Sequence, residues 1–118
     1  MRPESDVERA ARHAATVAAY RSLVSHGGPP REPLMLEQHF YTGEGGDIDG
    51  LTAALTERGF HVESLGYDPD SPDRTWRLVV VRLELLEERL LLALSDELDA
   101  LARRFDGVYD GWSTHADR

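Results

Sequence analysis

The chain contains no cysteine and no lysine. Without cysteine there is no disulfide, no thiolate zinc site and no cysteine nucleophile, and the absence points weakly toward the cytoplasm. Without lysine, all 13 fixed cations are arginines. Long apolar runs are missing too: none approaches the roughly 20 residues that cross a bilayer. The opening Met1-Arg2-Pro3-Glu4-Ser5-Asp6 has no apolar core behind it, so no signal peptide is expected. Proline is sparse and confined to Pro3, the run Pro29-Pro30 with Pro33, and the pair Pro69 and Pro72. The long stretches between are therefore free to form regular structure.

The charge is uneven. Residues 1–33 hold five Arg against four acids, a balance of +1, and residues 34–118 hold eight Arg against eighteen acids, a balance of −10, which sum to the net −9. A surface this acidic repels phosphate backbones and argues against direct nucleic-acid binding. It suits a basic protein partner, or serves solubility alone. With 118 residues and 41% hydrophobic content, the chain supports one core and one domain.

The spacing predicts a helix from Asp6 to about Ser25. Ser5 is a suitable N-cap, and Glu8 three residues on completes a capping box. Val7, Ala10, Ala11, Ala14, Val17, Ala18 and Val24 recur at helical spacing and form the expected packing stripe. Gly27-Gly28 ends the helix, and Pro29 to Pro33 is a stiff spacer. Residues 1–33 thus read as an appended helix and spacer, residues 34–118 as the domain proper.

In that domain, Leu34 to Thr42 alternates Leu34, Leu36, Gln38 and Phe40 against Met35, Glu37, His39 and Tyr41. Apolar residues on both faces imply a central strand. Asp47 caps a helix from Ile48 to about Arg58, with Ile48, Leu51, Ala54 and Leu55 inward and Gly59 at its end. Phe60 to Leu65 and Thr75 to Leu83 read as strands, separated by a Pro-containing turn. Leu91, Leu94, Leu98, Leu101 and Phe105 line one face of a helix from about Glu87 to Phe105, although Leu83 to Leu86 suit a strand as well as a helix start. Val108 to Ser113 is the last strand. The order β-α-β-β-α-β is that of a ferredoxin-like α+β sandwich, an antiparallel four-stranded sheet with two helices on one face, here with an extra N-terminal helix.

The segments Leu101-Ala102, Phe105 and Tyr109-Asp110-Gly111-Trp112-Ser113-Thr114 resemble the regulator of ribonuclease E activity B family, with a weaker likeness at Glu37-Gln38-His39-Phe40. The resemblance implies a non-enzymatic, acidic, cytoplasmic ferredoxin-like protein that binds ribonuclease E and inhibits RNA turnover. The alanine- and arginine-rich first helix departs from those members, and so does the ending Ala116-Asp117-Arg118 in place of a long acidic tail. The same fold reused against a different partner, as an immunity-type or other interaction module, is the alternative.

The candidate protein-binding residues are Tyr109, Asp110, Gly111, Trp112, Glu37, His39, Asp96, Glu97 and Asp99. Strand alternation places Tyr109 and Trp112 on opposite faces, one in the core and one partly exposed as an anchor. The competing reading makes Asp110-Gly111 a bulge or turn with Trp112 sealing the sheet edge. Glu37 and His39 share a face, and with Asp110 or His61 nearby they would form a metal or acid–base site; a satisfied sheet histidine, or a polar contact at an interface, is the favoured reading. Asp96, Glu97 and Asp99, with Glu84, Glu87 and Glu88, form either an acidic docking face or an ordinary solvated one. Gly43-Glu44-Gly45-Gly46 precedes a helix, but its acidic neighbours and the missing lysine disfavour a phosphate. No motif calls for a cofactor or a metal.

Overall fold

The structure is a computed structural model that describes residues 3–25, 27–28 and 31–114. His26, Pro29, Pro30 and the tail after Thr114 lie outside the described residues, and with them part of the expected spacer. The fold is α+β. In chain order it runs α1 (Asp6–Val24), β1 (Leu34–Thr42), α2 (Ile48–Glu57), β2 (His61–Tyr67), β3 (Trp76–Glu84), α3 (Glu88–Arg104) and β4 (Gly107–Thr114). The strands form one sheet in the order β2-β3-β1-β4, with every neighbouring pair antiparallel. β1 is therefore central, as its two apolar faces imply.

Local chemistry sets the helix ends. The Ser5 hydroxyl accepts from the Glu8 amide at 3.1 Å, and the Glu8 carboxylate accepts from the Ser5 amide at 3.0 Å. This satisfies two donors that the first turn leaves open. Asp47 accepts from the Gly50 amide at 2.9 Å to start α2. Gly59 (φ +87°) follows the α2 C-cap in a conformation that costs glycine least. The ambiguous Leu83–Leu86 stretch divides: Leu83 and Glu84 finish β3, while Leu86 drops into the core with 1% of its surface exposed.

The core lies on the sheet face that carries Leu36, Gln38 and Phe40 of β1. One cluster joins Phe40, Leu78, Val80 and Tyr109 of the sheet to Ile48, Leu51, Ala54 and Leu55 of α2 and Leu98, Leu101 and Ala102 of α3. A smaller cluster joins Leu36, Leu86 and Leu91, with Tyr20 and Leu23 of α1, Leu34 and Trp112 packed against it. The α2 and α3 faces match the sequence periodicity, with Leu98 fully buried.

The face of α1 does not match. Val7 is 81% exposed, and Ala10, Ala11, Ala14 and Ala18 are exposed as well. Thr16 is the buried residue of this helix, and Arg12, His13, Tyr20 and Leu23 share its side. Alanine methyls bury too little area to set the orientation of a helix. Ion pairs from Arg9 and Arg12 to α3 and the contact of His13 with Asp96, together with Tyr20 and Leu23, set it instead.

Candidate functional site

The site is built around β4. Phe40 of β1 lies opposite Tyr109, and Gln38 opposite Trp112, so two steps along β1 match three along β4. The extra residue sits at Asp110-Gly111, where Gly111 adopts φ +94°. This is a bulge. It puts Tyr109 and Trp112 on the same face of the sheet, correcting the expectation that they point to opposite sides. Period-two alternation fails at an inserted residue.

Tyr109 is 8% exposed and its ring lies 5.3 Å from that of Phe40. Its hydroxyl donates to Gln38 Oε1 at 2.6 Å, a fully interior bond. Burial raises the phenol well above its ordinary pKa. Tyr109 is thus a core residue. Trp112 is half-buried against Leu36, Leu86 and Leu91, and its indole N–H is buried with no hydrogen-bond partner among the described residues. Asp110 is exposed.

A cleft of about 460 Å³ opens between this strand, α1 and α3, lined by Arg12, Thr16, Arg103, Tyr109, Asp110 and Trp112 among others. Arg12 binds the Glu4 carboxylate with two nitrogens, at 2.6 and 2.8 Å. It also reaches Ser95 Oγ at 2.6 Å and Asp96 at 2.7 Å, and lies 3.8 Å from Asp99. Asp96 further accepts from Arg9 at 2.9 and 3.2 Å and lies 2.7 Å from His13 Nε2. The Arg9 bonds, aided by Arg12 and His13, hold the Asp96 carboxyl well below the usual carboxylate range. The Glu4 bond raises Arg12 further above its already high value, and the same bond lowers Glu4.

The expected acidic face of α3 is therefore divided. Asp96 faces α1, and Asp99 pairs with Arg103 at 2.9 Å. Glu97 pairs with Arg58 at 3.3 Å, Glu84 with Arg82 at 2.8 Å, and Glu88 lies 3.8 Å from Arg21. Composition shows the surplus of acids but not which ones arginine reaches. Arg12, Thr16 and Ser95 were missed; the recurrence of residues 9, 12, 13, 16, 20 and 23 at helical spacing is the signal that marks this face of α1.

Glu37 and His39 do come together, on the opposite sheet face. The Ser113 hydroxyl, from β4, donates to Glu37 Oε1 at 3.2 Å and lies 2.9 Å from His39 Nε2. In the tautomer with hydrogen on Nε2, His39 donates to Ser113 while the hydroxyl donates to Glu37. The trio is a polar strand-to-strand contact around a carboxylate that is 3% exposed. Among the described residues no group of three His, Cys, Asp or Glu is placed to hold a metal ion, and no helix is long and apolar enough to cross a membrane.

What the geometry defines is a small α+β domain whose ion pairs and hydrogen bonds knit its elements together around a bulged edge strand. A family model described as regulator of ribonuclease activity B (RraB) matches residues 13–114, from within α1 to the end of β4. The chain belongs to that family. No curated protein matches it.

Proposed function

We propose that this chain is a non-enzymatic protein that binds ribonuclease E and lowers its activity by direct contact. The match of the regulator family over residues 13–114 carries this reading. The −10 balance of residues 34–118 supports it, because an acidic protein is drawn to arginine-rich segments that otherwise hold RNA. The β2-β3-β1-β4 order is read as the ferredoxin-like arrangement, with residues 34–118 as the regulator domain and residues 1–33 as an attached helix and spacer. The docking surface is assigned to the β4 edge and its surroundings: Asp110, Gly111 and Trp112 beside the cleft, with His39 and the buried Glu37 on the opposite sheet face. Glu97, Asp96 and Asp99 contribute negative potential from α3. Tyr109 supports that surface from within. No cofactor takes part, and the site of action is the cytoplasm.

The test is calorimetric titration of the purified chain with ribonuclease E at low and at moderate salt. Micromolar or tighter binding that weakens as salt rises supports the reading. No binding at micromolar concentration at either salt removes ribonuclease E as the target and leaves the interaction-module alternative.

A further inference from the structure

The contact between α1 and α3 has two unlike halves. The C-terminal half is apolar: Tyr20 and Leu23 rest on the Leu36, Leu86 and Leu91 cluster. The N-terminal half is polar, since Arg9, Arg12 and His13 meet Ser95 and Asp96 while the alanines and Val7 face solvent. Hollows flank this polar half on both sides, the cleft of about 460 Å³ toward β4 and another of about 540 Å³ beside Pro3, Ala100 and Arg104. Solvent competes for the outer pair of this seam, where the Arg9 side chain is 56% exposed and Asp96 33%, while Arg12 is held deeper between Glu4, Ser95 and Asp99.

The α3 side of the seam is nevertheless specific. Ser95, Asp96 and Asp99 all converge on one guanidinium, that of Arg12, while Asp96 also takes Arg9 in a two-point contact. Arginines three residues apart on a helix fit this surface. Glu4, Arg9 and Arg12 precede the stretch that the family model matches, so this cover belongs to the chain beyond the matched segment.

We propose that the Ser95–Asp96–Asp99 face of α3 is a docking surface for an arginine-bearing helix of a protein partner, and that the N-terminal half of α1 occupies it as a displaceable stand-in. The partner chemistry is read from the occupant already seated there: two arginines one turn apart on a helix otherwise poor in large side chains. Uncovering the face frees Asp96 from Arg9 and Arg12, and Asp99 from Arg12, and these carboxylates attract such a helix from solution. A partner then competes with α1 at high local concentration, so α1 sets the threshold for binding. The inference does not depend on ribonuclease E being the partner, because its probe is the chain's own helix.

The test uses the full chain and a labelled peptide of residues 3–25, with fluorescence anisotropy as the readout. The peptide is expected to bind the Arg12→Ala chain at least tenfold more tightly than the unaltered chain. The gain is expected to vanish when the peptide carries Arg9→Ala and Arg12→Ala, or when Asp96→Asn is added to the chain. Equal affinity for the two chains, equal affinity of the altered peptide, or no binding to either chain overturns the proposal. Amide hydrogen exchange of the unaltered chain keeps the test open if Arg12→Ala fails to fold. Amides from Arg9 to Thr16 are expected to open at least tenfold more often than those of β1, and equal protection overturns a displaceable α1.

Discussion

Replacing Gly111 by alanine isolates the bulge. A Cβ built at Gly111 meets nothing within 4 Å, so the substitution adds no clash. Its cost is the backbone conformation alone: φ +94° lies in the region that disfavours L side chains by roughly 1–2 kcal/mol. Alanine also restricts the unfolded chain, which returns about 0.4–1 kcal/mol. The net loss is about 1 kcal/mol, or a drop in Tm of about 3–6 °C for a domain of this size. Thermal unfolding followed by circular dichroism reads it directly. Deleting Gly111 is the companion experiment. With the bulge removed, plain alternation still sets Trp112 opposite Gln38, on the face it occupies now. Trp112 emission, measured in a Trp76→Phe background, is expected to stay that of a half-buried indole. An alanine variant as stable as the unaltered chain would falsify the left-handed geometry at 111. A deletion that moves Trp112 emission to the solvent value refutes the inserted residue.

Three further outcomes follow from the packing and the ion pairs. Leu98→Ala empties a fully buried position beneath both α2 and the sheet and is expected to cost about 2–5 kcal/mol in chemical denaturation. Tyr109→Phe removes the donor to Gln38, leaving a carbonyl on a side chain 1% exposed without its partner, and is expected to cost about 1–3 kcal/mol. A second substitution, Gln38→Met, recovers part of that loss. Asp96 titrates well below its ordinary value of 3.8 because the folded chain favours its ionised form. Its contribution is therefore complete above that value and is lost as pH falls through it toward the lower folded one. Asp96→Asn removes that share of the acid dependence, so melting temperatures of the two chains are expected to differ at neutral pH and converge in strong acid. A gap that persists unchanged in acid places the effect elsewhere than in the carboxylate.

Much of the fold is legible in the residues because its signals are local. Asp47 and Gly59 bracket α2, and the leucine spacing of α3 places Leu91, Leu98 and Leu101 inward. β1 reads as central because both of its faces carry large side chains. The site is less legible because its contacts are distant in sequence. Arg9 and Arg12 reach Asp96 across more than 80 positions, and periodicity alone cannot choose between an alanine stripe and an arginine stripe on one helix. The glycine at 111 hints at a bulge, but only the pairing with β1 shows that Trp112 turns to the face of Tyr109. The likeness of Tyr109-Asp110-Gly111-Trp112 to the regulator family leads to the same family that the match over residues 13–114 shows. Chemistry at those residues does not by itself name a target.

Cleavage of a structured RNA by purified ribonuclease E, with the chain titrated in, tests the central proposal most directly. The account predicts a saturable fall in cleavage rate that is complete near equimolar chain once enzyme exceeds the dissociation constant, with no RNA binding by the chain itself. An unchanged cleavage rate in a large excess of folded chain contradicts it.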